Sequence, residues 1–271
     1  MFFKIKNKIM ENKKIFWAIL GIAAIIALVI FFLPKENNKI GQILEIGSKS
    51  EKESKMQLIA INEQTPLYKA NALYPRFSGI DESFNKIIKD EAENAWLDFK
   101  KITQENWNAL KDTEFGNQKN GDNPAEPFEF DLSCDIIQQT DDYVSLIMRY
   151  GGYPGGGAHG YQNLITFTYN VKDKKISKLS DFFSGKADYL EKISKVARQQ
   201  LIEHFSEDIQ DEQGLGYVKE MIDMGTEPKE DNFKNFTISQ DKIITIYFPQ
   251  YQVAPYAAGE QKIEINLNNE I

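Results

Sequence analysis

One cysteine, Cys134, stands in 271 residues, so no intramolecular disulfide can staple this chain and its stability has to come from an ordinary core. In DLSCDII the cysteine alternates with polar neighbours and has no basic residue beside it, which predicts a buried, inert thiol on a strand. Histidine is nearly as scarce. His159 and His204 are the only two, and no HExxH, Cys-x-x-Cys or Gly-x-Ser-x-Gly is present, so no metal site, cofactor or nucleophile declares itself. Positive charge is in deficit as well, with 32 basic against 40 acidic residues and a pI near 5.0. That balance argues against a nucleic-acid partner, because phosphate contact needs a surplus of Lys and Arg. Apolar residues at 42% and charged ones at 27% fit a globular chain, neither disordered throughout nor a multi-span membrane protein.

Long apolar runs are also rare, and the exception is informative. From Ile15 to Leu33, IFWAILGIAAIIALVIFFL carries no charge. As a helix it would extend roughly 28 Å, close to the thickness of a bilayer's hydrocarbon core. It is longer than the apolar region of a cleaved signal peptide, and FFLPKENN follows it in place of a small-x-small cleavage site, which predicts a retained transmembrane anchor. Lys4, Lys6, Lys8, Lys13 and Lys14 precede it against Glu11, which places residues 1–14 in the cytoplasm and the rest outside. The exported part is distinctly acidic, with 27 basic and 39 acidic residues, and reads first as a solvated surface.

Residues 34–55 are polar and charged and read as a linker. MQLIAIN and YKANALYPRF read as strands broken by a turn, and apolar residues from Phe84 to Ile102 at helical spacing predict a helix over 81–110 with Asp81 as its N-cap. FEFDLSCDIIQQ and YVSLIMRY form an expected hairpin about Asp141-Asp142, and YQNLITFTYNV a further strand. A second amphipathic helix covers ADYLEKISKVARQQLIEHF, and a shorter one lies around residues 216–224. FKNFTIS, KIITIYFP and KIEINL return to strands. The fold class expected is α+β, an antiparallel sheet with packed amphipathic helices, divided at residues 56–120 and 121–271.

Two loops are candidate sites. GGYPGGGAHG at 151–160, with Gly155, Gly156, Gly157, His159 and Gly160, allows positive φ and close backbone approach. A strand follows it where a phosphate loop would open a helix, so nucleotide binding is rejected, and His159 reads as a brace for the loop, with a general base as the alternative. The second loop, within YFPQYQVAPYAAG, offers Tyr251, Pro255, Tyr256 and Gly259. Tyrosines on a proline-restricted backbone suit recognition at small entropic cost, and core packing accounts for the same residues. The adjacent acids Asp141-Asp142 and the pair Asp131/Asp135 read as turn and strand residues before a carboxylate site.

GGGAHG at 155–160, KLSDFF at 178–183, NFTIS at 235–239 and IYFPQYQVAPYAAG at 246–259, taken in order, resemble the exported bacterial family DUF3298. LYPRFSGI at 73–80 resembles the opening of the DUF4163 region that precedes it, and together the resemblance spans about residues 56–268. It implies an envelope module similar to the exported part of the anti-sigma factor RsiV, which binds lysozyme, and to the accessory region of a peptidoglycan deacetylase. Fourteen residues ahead of the span are too few to fold around a sigma factor, and no deacetylase domain with Asp and His metal motifs follows. The expectation is therefore a single-pass, extracytoplasmic, non-catalytic module that recognises a lysozyme-like muramidase or peptidoglycan, with Tyr251, Pro255, Tyr256 and Gly259 as contact residues. A cell-wall hydrolase using the His159 loop is the alternative.

Overall fold

The computed structural model describes residues 42–46, 56–114, 119–183 and 185–268. The span expected at 15–33 lies outside them, and among the described residues no helix is long and apolar enough to cross a membrane.

The chain runs β1 (Gln42–Ile46), β2 (Met56–Gln64), β3 (Tyr68–Phe77), α1 (Glu82–Leu110), β4 (Lys119–Asn120), β5 (Asn123–Pro124), β6 (Phe128–Gln139), β7 (Tyr143–Tyr153), β8 (Tyr161–Asn170) and β9 (Lys175–Ile176). It continues through α2 (Tyr189–Asp208), α3 (Glu212–Gly225), β10 (Phe236–Ile238), β11 (Ile243–Phe248) and β12 (Gln261–Asn266). Seven strands form one sheet in the order β1-β2-β3-β6-β7-β8-β9, and β10-β11-β12 form a second, so the class is mixed α+β, with three α-helices among the described residues.

Three expectations change. The large sheet is not wholly antiparallel: β3 pairs parallel with β6, Tyr68 opposite Phe128 and Ala72 opposite Leu132. The reason is α1, whose 29 residues carry the chain back along the sheet before β6 begins. Secondly, the stretch read as a linker contains β1, which pairs antiparallel with β2, Ile46 opposite Leu58. Thirdly, the division expected at residues 120 and 121 runs through the large sheet, between β3 and β6.

Asp81 caps α1, its carboxylate accepting from the Ser83 N–H at 2.9 Å. Phe84, Ile88, Ala92, Ala95, Phe99 and Trp107 then lie buried against the sheet. Ile87 and Ile102, expected on that stripe, are 39% and 40% exposed. Steps of four residues advance about 40° around a helix, so the buried stripe drifts and leaves them on its flanks. This core is aromatic: Phe84 stacks on Tyr169 at 4.4 Å, and Phe99 lies 5.2 Å from Phe130. The second core is largely aliphatic, with Ile193, Leu201 and Ile222 of α2 and α3 against Ile244, Ile246, Ile263 and Ile265.

The two halves meet along a polar seam. The Ile238 N–H donates to Ser145 Oγ at 3.0 Å and the Phe236 N–H to Thr166 Oγ1 at 2.7 Å. Ser145 and Thr168 hydroxyls bond to each other at 3.0 Å, and Thr168 also donates to the Phe236 carbonyl at 3.3 Å. Hydroxyls of β7 and β8 thus satisfy backbone groups of β10 that no strand covers.

Candidate functional site

The seam opens into a cleft of about 390 Å³. Its floor is the far end of the large sheet, where Asp131 of β6 lies opposite Gly151 of β7, which lies opposite Gln162 of β8. The next row is Ser133, Arg149 and Leu164. Gly151 contributes no side chain between Asp131 and Gln162, and a Cβ there would stand 2.2 Å from the Tyr161 carbonyl oxygen. The glycine is required by that approach, and its bareness hollows the floor. Pro249, Gln250, Tyr256 and Glu260 of the smaller half line the facing side.

Arg149 joins the two walls. Its Nε and Nη2 donate to Glu260 at 2.8 and 2.9 Å, and its Nη1 donates to Asp135 at 2.6 Å. The hydrogen bonds to Glu260 and the adjacent carboxylate charges hold its pKa above the usual value against the opposing effect of burial. Glu260 is 111 residues away in sequence, so this pair was invisible before the fold. The only local signal was an arginine ending the apolar run YVSLIMRY.

The two candidate loops, read separately from the sequence, come together here. The Tyr256 hydroxyl donates to the Gly160 carbonyl at 3.0 Å, and its ring stacks on His159 with centroids 3.9 Å apart and planes 25° apart. His159 Nδ1 lies 2.7 Å from the same carbonyl. A carbonyl can only accept, so a ring hydrogen sits on Nδ1. His159 therefore ties its own ring to the loop end.

The remaining glycines serve another surface. Gly155 and Gly156 adopt φ of 82° and 81°, and Asn106 Nδ2 donates to the Pro154 and Gly155 carbonyls at 3.2 and 2.7 Å. A Cβ on Gly155 would come 2.8 Å from the Phe128 ring. Gly156 and Gly157 border a second, larger hollow of about 800 Å³ beside Trp107, Phe128 and Tyr153. In the tyrosine loop, Pro255 at φ −60° opens a short 3₁₀ turn that Gly259 ends at φ 71°. Tyr251, also at positive φ, is 57% exposed. The loop is pinned to the end of α3 and to the 3₁₀ turn after it, since Gln252 Nε2 donates to the Gly225 and Asn232 carbonyls at 2.9 Å.

Cys134 packs against the first core, and burial followed by the Asp135 charge pushes its thiol up to about 12. Among the described residues no cluster of three His, Cys, Asp or Glu could hold a metal ion.

Comparison with known proteins bears on this geometry. Residues 180–268 match the family described as "Protein of unknown function (DUF3298)". Residues 61–162 match the family described as "Deacetylase PdaC", overlapping the stretch read as DUF4163-like and including GGGAHG. The cleft is thus built from both matched segments. The chain is 29% identical over 264 residues to the "Peptidoglycan-N-acetylmuramic acid deacetylase PdaC" of Bacillus subtilis (strain 168), covering 94% of this chain and 50% of that protein. It spans half the length of the curated relative it matches. A DUF3298 family structure from Bacteroides fragilis NCTC 9343 superposes with a TM-score of 0.50 at 17% identity, covering 79% of this chain and 90% of that one, which shows a likeness of fold alone. A second, from Pseudomonas aeruginosa PAO1, gives 0.46 at 13% identity over the same shares. These matches tie the chain to DUF3298 and PdaC-like segments.

Proposed function

We propose that the chain is a non-catalytic recognition module of the bacterial envelope, held outside the cytoplasmic membrane by the segment 15–33, and that its cleft binds peptidoglycan. The observation that carries this reading is the composite cleft itself. Its volume of about 390 Å³ falls in the range of small-molecule sites, roughly 300–1,000 Å³. It sets an aromatic wall at Tyr256, with Gln250 beside it, against the amide groups of Gln162 and Asn163. Such a surface suits a glycan, whose ring faces stack on aromatics and whose hydroxyl and acetamido groups need donors and acceptors together. The similarity to a protein named for peptidoglycan deacetylation supports the same ligand class.

A lysozyme-like protein is the second reading, supported by the acidic balance of the sequence, which would speed encounter with a basic partner. The deciding experiment sediments the full chain, in mild detergent, with purified sacculi and separately measures its affinity for lysozyme. Co-sedimentation that weakens by about 2 kcal/mol or more in a folded Tyr256→Ala variant is the expected result. Binding to lysozyme alone would favour the second reading. Release of soluble products from sacculi, lost in His159→Ala, would favour a hydrolase. A reporter fused after Ile271 should be active outside the cytoplasm, and activity only inside would overturn the topology.

A further inference from the structure

Among the described residues the outer edge of β8 is open beyond β9. Ser177 N–H donates to the Thr168 carbonyl at 2.7 Å, so even-numbered residues of β8 turn their backbone groups away from β7. β9 covers only Tyr169 and Asn170. The N–H and C=O groups of Gln162, Leu164 and Thr166 have no hydrogen-bond partner among the described residues. Unpaired edges recruit other strands, and proteins ordinarily guard them with lysine, proline or a bulge. In a chain with 27% charged residues, YQNLITFTYN contains neither a charge nor a proline. Lysines cluster only past its covered end, at Lys172, Lys174 and Lys175. The open stretch also borders the cleft, whose lining holds Asp131 and Glu260 with the single cation Arg149, and Asp135 bonds that arginine from outside the lining. Three carboxylates against one guanidinium leave negative charge to be met.

We propose that the open edge of β8, from Tyr161 to Thr166, binds an extended peptide segment of a partner protein as an added strand, with a lysine or arginine side chain of that segment entering the acidic mouth of the cleft. Main-chain bonds to Gln162, Leu164 and Thr166 supply affinity, and alternate side chains of the added strand fall toward the cleft, which supplies the preference for a cation.

The test uses the full chain and a fluorescent, acetylated and amidated hexapeptide, Thr-Val-Lys-Val-Thr-Val, followed by anisotropy. A glutamate replaces the lysine in one control, and two further peptides carry N-methyl groups on odd or on even positions. The lysine peptide should bind at least tenfold tighter than the glutamate peptide and weaken in high salt. N-methylation in one register should abolish binding and in the other spare it, because only one set of N–H groups faces β8. Leu164→Pro removes an outward N–H that the β7 ladder does not use, so the variant should keep its circular dichroism and lose the peptide. Equal binding of lysine and glutamate peptides, equal binding of the two N-methyl registers, or no peptide binding would overturn the proposal. So would a concentration-dependent dimer that Leu164→Pro abolishes, which would assign the edge to a second copy of this chain. Sacculi are tested in parallel with the unmodified chain: sacculus binding without peptide binding removes the edge proposal alone, and the converse removes the glycan reading alone.

Discussion

The half built on α1 and the half built on the three-stranded sheet bury different chemistry and are joined by a third kind. Rings predominate in the first, through Phe84, Phe99, Phe130 and Tyr169, while in the second isoleucines such as Ile244, Ile246, Ile263 and Ile265 outnumber the phenylalanines. Between them lie hydroxyls and one arginine. Apolar burial is non-directional and fixes each half internally, whereas hydrogen bonds are directional and fix how the halves meet. A cleft whose floor and wall come from different halves needs the second kind of fixing.

The comparison breaks most visibly if one core is opened. Phe84→Ala should cost about 3–5 kcal/mol, since a buried ring is removed and a cavity left. Two of the chain's three tryptophans, Trp96 and Trp107, lie on α1, so their fluorescence follows the first half, while far-ultraviolet circular dichroism also follows α2 and α3. If the seam couples the halves, both signals shift together in urea; separate midpoints would mean that each half unfolds alone. Ser145→Ala tests the seam itself. It leaves the buried Ile238 N–H without its acceptor and should cost about 1–3 kcal/mol, with the two signals drawing apart. No change in stability would show that the hydroxyl is incidental.

Tyr256→Phe removes only the bond to Gly160 and keeps the ring on His159. A loss of about 0.5–1.5 kcal/mol in thermal stability is expected, and a larger one would mean that the hydroxyl organises both loops. The smallest effect concerns Cys134 and is absent at neutral pH. Its folded thiol is raised from 9.0 to about 12, so the unfolded chain releases this proton first. The stabilising contribution is complete below pH 9 and is lost as pH rises toward 12. Cys134→Ala should flatten the fall in stability across that window, and native thiol labelling at pH 8 should be slow; fast labelling would contradict the burial.

Much of the secondary structure was legible because each element answers to a local rule. Asp81 before Glu82 and Ser83 specifies a helix start, and the spacing from Phe84 to Phe99 specifies its buried stripe. Alternation in FEFDLSCDIIQQ specifies β6, and Asp141-Asp142 the turn after it. β1 escaped notice because QILEI is five residues set among charged ones. The parallel pairing of β3 with β6 escaped for another reason: nothing in either strand's period records its neighbour's direction.

The candidate site divides along the same line. Sequence alone determined that residues 151–160 would be a backbone-dominated segment and residues 251–259 a stiff aromatic one, because glycine and proline act on φ within their own residue. It also determined the acidic balance and the scarcity of cysteine and histidine. Only the tertiary structure decided that Tyr256 would rest on His159 and Gly160, 96 residues away along the hydroxyl's bond, and that Arg149 would meet Glu260. Such pairings are set by how two separately packed cores dock, and the energy that docks them is shared among distant residues that carry no local mark of one another.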